Sequence, residues 1–204
     1  MRYLIPESAV EFSEEIKKSR FITYLQPTQG IEQARAFWQQ VKQQHPNARH
    51  HCWAAVAGRP NDSQQLGFSD DGEPSGTAGK PMLNVLLGSR IGEISAVVVR
   101  YYGGIQLGTG GLVRAYGNGV QQALKQLLTV EKIERQRFDL TCDYEQINLV
   151  QQLIKHHQIE IWSQQFNQSV ELQLGISEQQ FTDFAQALID RSGGRLRLAE
   201  PKKA

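Results

Sequence analysis

Asp70, Asp71 and Glu73 put three carboxylates within four residues, a density that could hold a divalent cation. They lie in Phe68-Ser69-Asp70-Asp71-Gly72-Glu73-Pro74-Ser75-Gly76-Thr77-Ala78-Gly79-Lys80-Pro81, which is rich enough in turn formers to predict a loop. The same acids could instead cap the helix that follows, since a helix N-terminus attracts negative charge. Capping is the commoner use, so no metal is assigned. Gly79-Lys80 invites a P-loop reading, but Pro74 stands where the first glycine belongs and Pro81 where a Ser or Thr belongs. A P-loop is excluded.

A second cluster runs Arg100-Tyr101-Tyr102-Gly103-Gly104-Ile105-Gln106-Leu107-Gly108-Thr109-Gly110-Gly111-Leu112-Val113-Arg114. An apolar strand followed by a glycine-rich turn and a helix offers free backbone amides and a positive dipole end to an anion. Gly108, Thr109, Gly110 and Gly111 are therefore candidate anion-binding residues, with Lys80, Arg100 and Arg114 as cationic partners. Equally, the glycines could serve only a tight turn and close packing. The spacing is not a dinucleotide fingerprint, because Val113 occupies the position of the third glycine, and no GxSxG elbow is present.

The third cluster is His45-Pro46-Asn47-Ala48-Arg49-His50-His51-Cys52-Trp53. On a strand His50 and Cys52 face one way and His51 the other, so the His-His-Cys run does not converge on zinc. Arg49, His51, Arg100, Tyr101 and Tyr102 could instead form a surface that stacks bases and contacts phosphates. Cys52 and Cys142 are too far apart in sequence for a metal pair and read as small buried residues.

These clusters need elements to hold them. Strands are predicted at 20–25, 51–57 and 94–99, with helices over 31–45, 81–87 (stopped by Gly88) and 109–128. Glu131–Arg137 is charged and marks a junction between domains at 1–132 and 136–204. Beyond it the pattern is regular. Strands at 138–142, 159–162, 170–174 and 195–198 alternate with helices carrying Ile147, Val150, Leu153 and Ile154, then Phe181, Phe184, Ala185, Leu188 and Ile189. Ser177 and Gln180 are spaced as a capping box. The order is β-α-β-β-α-β, a ferredoxin-like split, so the fold class is α+β.

Hydrophobic residues make up 40% of the 204 and charged residues 21%, which argues for a folded chain rather than a disordered one. No run has the apolar length of a membrane helix or a secretory signal, so no membrane contact and a cytoplasmic location are expected. The net charge of +1 hides an asymmetry. Residues 1–137 hold 16 Lys and Arg against 12 Asp and Glu, whereas 138–204 hold 6 against 9. A polyanion should prefer the first part.

Glu15-Ile16-Lys17-Lys18-Ser19-Arg20-Phe21, Ala48-Arg49-His50-His51-Cys52, Ser69-Asp70-Asp71-Gly72-Glu73-Pro74 with Gly76-Thr77-Ala78-Gly79, and Val98-Val99-Arg100-Tyr101-Tyr102-Gly103-Gly104 with Leu107-Gly108 closely resemble the IMPACT family in its bacterial, YigZ-type form. The last stretch is the most specific. The resemblance implies a ribosomal protein S5 domain 2-like N-terminal domain and a ferredoxin-like C-terminal domain similar to a late domain of elongation factor G. It implies a link to RNA, ribosomes and the regulation of translation. The eukaryotic relatives carry an RWD domain that is not found in this sequence.

The expected function is thus a non-enzymatic binding protein that contacts RNA or the translation machinery through its N-terminal domain, without a cofactor. Its acidic C-terminal domain is expected to contact protein. Two alternatives stand beside it. One is an enzyme acting on a phosphorylated or nucleotide-like molecule with Mg²⁺ held by Asp70, Asp71 and Glu73. The other is a purely protein-binding adaptor.

Overall fold

The apolar run near residue 94 becomes a strand, Ile94–Tyr101, buried at every position but its last. Such burial requires cover on both faces. The computed structural model describes residues 1–199. They divide into two compact units, Tyr3–Lys132 and the chain from Ile133 onward together with Met1–Arg2.

In chain order the N-terminal unit contains β1 (Arg2–Pro6), β2 (Val10–Ile16), β3 (Ser19–Pro27), α1 (Ile31–Gln44), β4 (His50–Val56), β5 (Leu66–Ser69), α2 (Gly79–Ser89), β6 (Ile94–Tyr101), α3 (Thr109–Gln126) and β7 (Thr129–Ile133). β1 pairs with β7, and the other strands form one sheet in the order β2-β3-β6-β4-β5. All four of its pairings are antiparallel. The period of two along β4 and β6 sorts their side chains cleanly. Cys52, Ala54, Val56, Ile94, Ala96 and Val98 pack beneath α2 and α3. Trp53, Ala55, Val97 and Val99 pack beneath Ala34, Phe37 and Val41 of α1. The result is helix, sheet and helix pair in three layers.

Several sequence expectations need correction here. α2 starts before residue 81 and runs through Gly88, ending at Arg90 with φ 59°. Gly88 has no neighbour that a Cβ would meet and is tolerated within the helix. Leu66–Ser69 is a strand rather than loop, pairing with β4. β1, β2 and β7 were not expected. Glu14 interrupts the apolar alternation of β2, because its carboxylate accepts from Asn118 Nδ2 on α3 at 3.1 and 3.2 Å.

The C-terminal unit contains β8 (Gln136–Cys142), α4 (Ile147–His156), β9 (Glu160–Phe166), β10 (Val170–Ile176) and α5 (Glu178–Ser192). The sheet order is β8-β10-β9, antiparallel throughout. Phe138, Leu140, Val150, Leu172, Phe184 and Leu188 form its core. The expected fourth strand at 195–198 shrinks to one antiparallel bridge, Ala199 with Asp139 on the free side of β8. The cause is local. Gly193 and Gly194 both take positive φ, Arg195 Nε donates to Ser192 O, and Leu196 N donates to Ser192 Oγ. Residues 195–196 therefore finish the helix end instead of extending a ladder. With that bridge, the split β-α-β order of a ferredoxin-like domain is retained. No helix among the described residues is long and apolar enough to cross a membrane.

Candidate functional site

His50 on β4 lies directly across from Arg100 on β6, and Phe21 on β3 is the partner on the other side. All three point toward α2 and α3. Arg100 is only 5% exposed. Its guanidinium sits between the rings of Phe21 and Tyr102, at 5.5 and 5.4 Å from their centroids.

A buried cation requires a partner. Glu73 supplies it from the loop before α2: Arg100 Nη1 donates to Glu73 Oε1 at 2.7 Å. Tyr116 of α3 donates its hydroxyl to the same oxygen, also at 2.7 Å. Burial pushes the Tyr116 hydroxyl pKa up, so it stays protonated as a donor. The second oxygen of Glu73 lies 3.9 Å from His50 Nε2. His50 Nδ1 is 2.9 Å from the carbonyl oxygen of Asp71, which can only accept. Nδ1 therefore carries hydrogen, and Nε2 is the ring nitrogen left for other chemistry.

The three clustered carboxylates go three separate ways. Asp70 Oδ1 accepts from the amides of Ala78 and Gly79 at 3.0 and 2.8 Å, and Oδ2 accepts from Gly76 N at 2.8 Å. It thus caps α2, whose own N-cap residue provides no side-chain bond. Asp71 Oδ2 accepts from His51 N at 2.8 Å, and Oδ1 accepts from Lys42 Nζ at 3.3 Å. Glu73 belongs to Arg100 and Tyr116. The cation-binding reading of Asp70, Asp71 and Glu73 is therefore corrected, and no metal-holding group of three side chains occurs among the described residues.

Above this network is a cleft of about 700 Å³. Arg100 and Glu73 line it together with Arg49 and His50 from the start of β4. Gly108 and Thr109, at the start of α3, also line it. Gly108 adopts φ 74°, a turn that favours glycine, and its carbonyl accepts the first helical bond from Leu112 N. No side chain of the N-cap residue closes α3, so its first-turn amides lack an intrahelical partner. Tyr102 stands at the cleft with 46% of its surface exposed.

Of the candidate residues, Arg49, Arg100, Tyr102, Gly108 and Thr109 come together in this cleft, with Asp71 and Glu73. The others do not. His51 is buried on the α1 face, where its Nε2 meets His45 O at 2.9 Å. Tyr101 is on that face too, its hydroxyl 2.9 Å from His45 Nδ1. Lys80 stands over the Phe68 ring and lines a separate depression with Gly76, Pro81 and Val85. Gly110, Gly111 and Arg114 line a third cavity with Lys17 and Val113. The expectation of three cationic partners is thus corrected: Arg100 is neutralised by Glu73, and Lys80 and Arg114 are elsewhere. Sequence reasoning singled out His51 where the structure puts His50. Its phase was readable from the same alternation that placed Cys52 in the core. Cys52 is no nucleophile, since burial pushes its thiol pKa up and its Sγ faces Asp70 O at 2.9 Å.

Comparison with known proteins places the chain in a defined family. Residues 17–124 match the Impact N-terminal domain, and residues 140–195 match a domain of unknown function, DUF1949. The chain belongs to the IMPACT family. It is 69% identical over 194 residues to an IMPACT family member of Haemophilus influenzae, covering 95% of this chain and 94% of that one. It is 54% identical over 196 residues to the IMPACT family member YigZ of Escherichia coli, covering 96% of each. A crystal structure of a hypothetical protein, 52% identical, covers 100% of this chain and 98% of its own, with a TM-score of 0.73.

Proposed function

We propose that this protein is a non-enzymatic, RNA- or ribosome-associated factor that acts on translation, binding single-stranded RNA in the cleft of its N-terminal unit. The observation that carries the reading is Tyr102, an exposed ring backed by the Arg100 guanidinium and placed at the same cleft as the start of α3. An aromatic platform beside amides that attract anions suits a base and its phosphate, and stacking contributes about 1–3 kcal/mol per base. Arg49, exposed at the same cleft, adds a cation. The positive balance of residues 1–137 favours a polyanion.

The Mg²⁺-dependent enzyme reading is weakened because its three carboxylates are committed to three different partners. The C-terminal unit offers a mixed-charge sheet face with Arg137, Asp139 and Glu171, which suits a protein partner better than RNA. Tyr102→Ala and Arg49→Ala should each weaken binding of a labelled single-stranded RNA about tenfold. Arg49→Ala should also reduce the salt slope by about 1. Lys80→Ala should change less. Wild-type affinity in both cleft variants, measured by fluorescence anisotropy, would contradict the reading.

A further inference from the structure

We infer that the cleft is built for a terminal phosphate monoester, so that it prefers a nucleoside 5′-monophosphate or a 5′-phosphorylated RNA end to internal backbone. The inference rests on the RNA-binding reading of the same cleft and makes its ligand more specific.

The first observation is Arg100. Glu73 takes Nη1, but the buried Nε has no partner among the described residues. Leaving a charged group's N–H unsatisfied is costly, and a ligand oxygen in the cleft would relieve it. The second is the arrangement of the other polar groups. His50 Nε2 comes from β4, and Thr109 stands in the uncapped first turn of α3. Three elements thus bring polar groups to one space: donors from Arg100 and the first turn of α3, and an acceptor at His50 Nε2.

A phosphate monoester has three terminal oxygens and a charge of about −1.5 to −2 near neutrality. An internal diester has two non-bridging oxygens and one charge. The monoester also keeps one hydroxyl part of the time, since its second pKa is about 6, and that hydroxyl can donate to His50 Nε2, which an internal diester cannot do. The acids that also line the cleft are each paired, Glu73 with Arg100 and Asp71 with Lys42, and Arg49 adds a further cation. Depth points the same way. With Arg100 only 5% exposed, a phosphate that reaches it must enter the cleft rather than lie across its mouth. A chain end reaches that depth more readily than a backbone held on both sides.

The test uses the full-length protein and one short RNA sequence made with a 5′-phosphate and with a 5′-hydroxyl, together with adenosine 5′-monophosphate. The phosphorylated RNA should bind about tenfold tighter or more, and the mononucleotide should compete with it. Equal binding of the two RNAs overturns the inference and leaves the RNA reading standing. Binding of the mononucleotide without either RNA keeps the monoester site and overturns the RNA reading. No binding by any of the three overturns both. His50→Gln, shown folded by its thermal transition, should lose most of the discrimination, whereas Lys80→Ala should keep it. Full discrimination in His50→Gln would overturn the role given to His50 Nε2.

Discussion

Ser177 N donates to the Gln180 side chain three residues on at 3.1 Å, and that exchange starts α5 in the C-terminal unit. In the N-terminal unit Asp70 caps α2 from as far as nine residues away, and Glu73 reaches 27 residues along the chain to Arg100. Polar groups at the first of these caps serve the helix they start and reach beyond it to the backbone carbonyls of His157 and Gln158. Those in the N-terminal unit tie a loop, two strands and a helix together around a cleft. The difference lies in how many elements a polar side chain ties, and it ranks the effects of removing one.

The largest effect should come from Glu73→Gln. It leaves Arg100 as a buried charge without its counterion, and breaking such a pair costs about 3–5 kcal/mol. Urea unfolding should report a loss of this size in the N-terminal unit. Gly103→Ala comes next. A Cβ there would lie 1.9 Å from the Lys18 carbonyl oxygen, and backbone cannot swing aside, so a cost of about 1–3 kcal/mol is expected. Gly175→Ala sharpens the comparison: the nearest atoms its Cβ would meet belong to the ring of Trp162, a side chain 50% exposed that can shift at the cost of its bond to Glu160. Its cost should be the smaller of the two, with a change in tryptophan fluorescence as the main sign.

Asp70→Ala removes the acceptor of three amides at α2 and should cost about 1–2 kcal/mol. Ser177→Ala should cost about 1 kcal/mol, confined to the C-terminal unit. Should Ser177→Ala prove as damaging as Glu73→Gln, the contrast between local and long-range ties fails. Thiol reactivity gives a check at lower stakes. Burial raises the pKa of both Cys52 and Cys142, so neither should react readily with a disulfide reagent near pH 8 until the chain unfolds.

Legibility in the sequence followed the same division. The C-terminal helices and strands were readable because each carries its own apolar stripe, such as Phe138, Leu140 and Cys142 on β8. Only the final strand misled, since the alternation at 195–198 says nothing of Ser192 drawing the chain back. The N-terminal sheet was readable at its buried centre and not at its margins. β2 hides behind Glu14, whose partner Asn118 is 104 residues away. For the site, the glycine turn and Arg100 were visible, but the Glu73 contact that removes Arg100 from the pool of free cations was not, because spacing carries no information on a loop's return path. His50 and His51 show the narrowest failure. Adjacent and identical in type, they differ only in strand phase, and His50 is the one at the cleft.

Amide chemical-shift mapping of the folded protein with a short single-stranded RNA tests the cleft most directly. Perturbations should concentrate at His50, Arg100, Tyr102 and Gly108–Thr109, with Lys80 and Arg114 little changed. Shifts centred on Lys80 and Arg114, with the cleft residues unmoved, would contradict it.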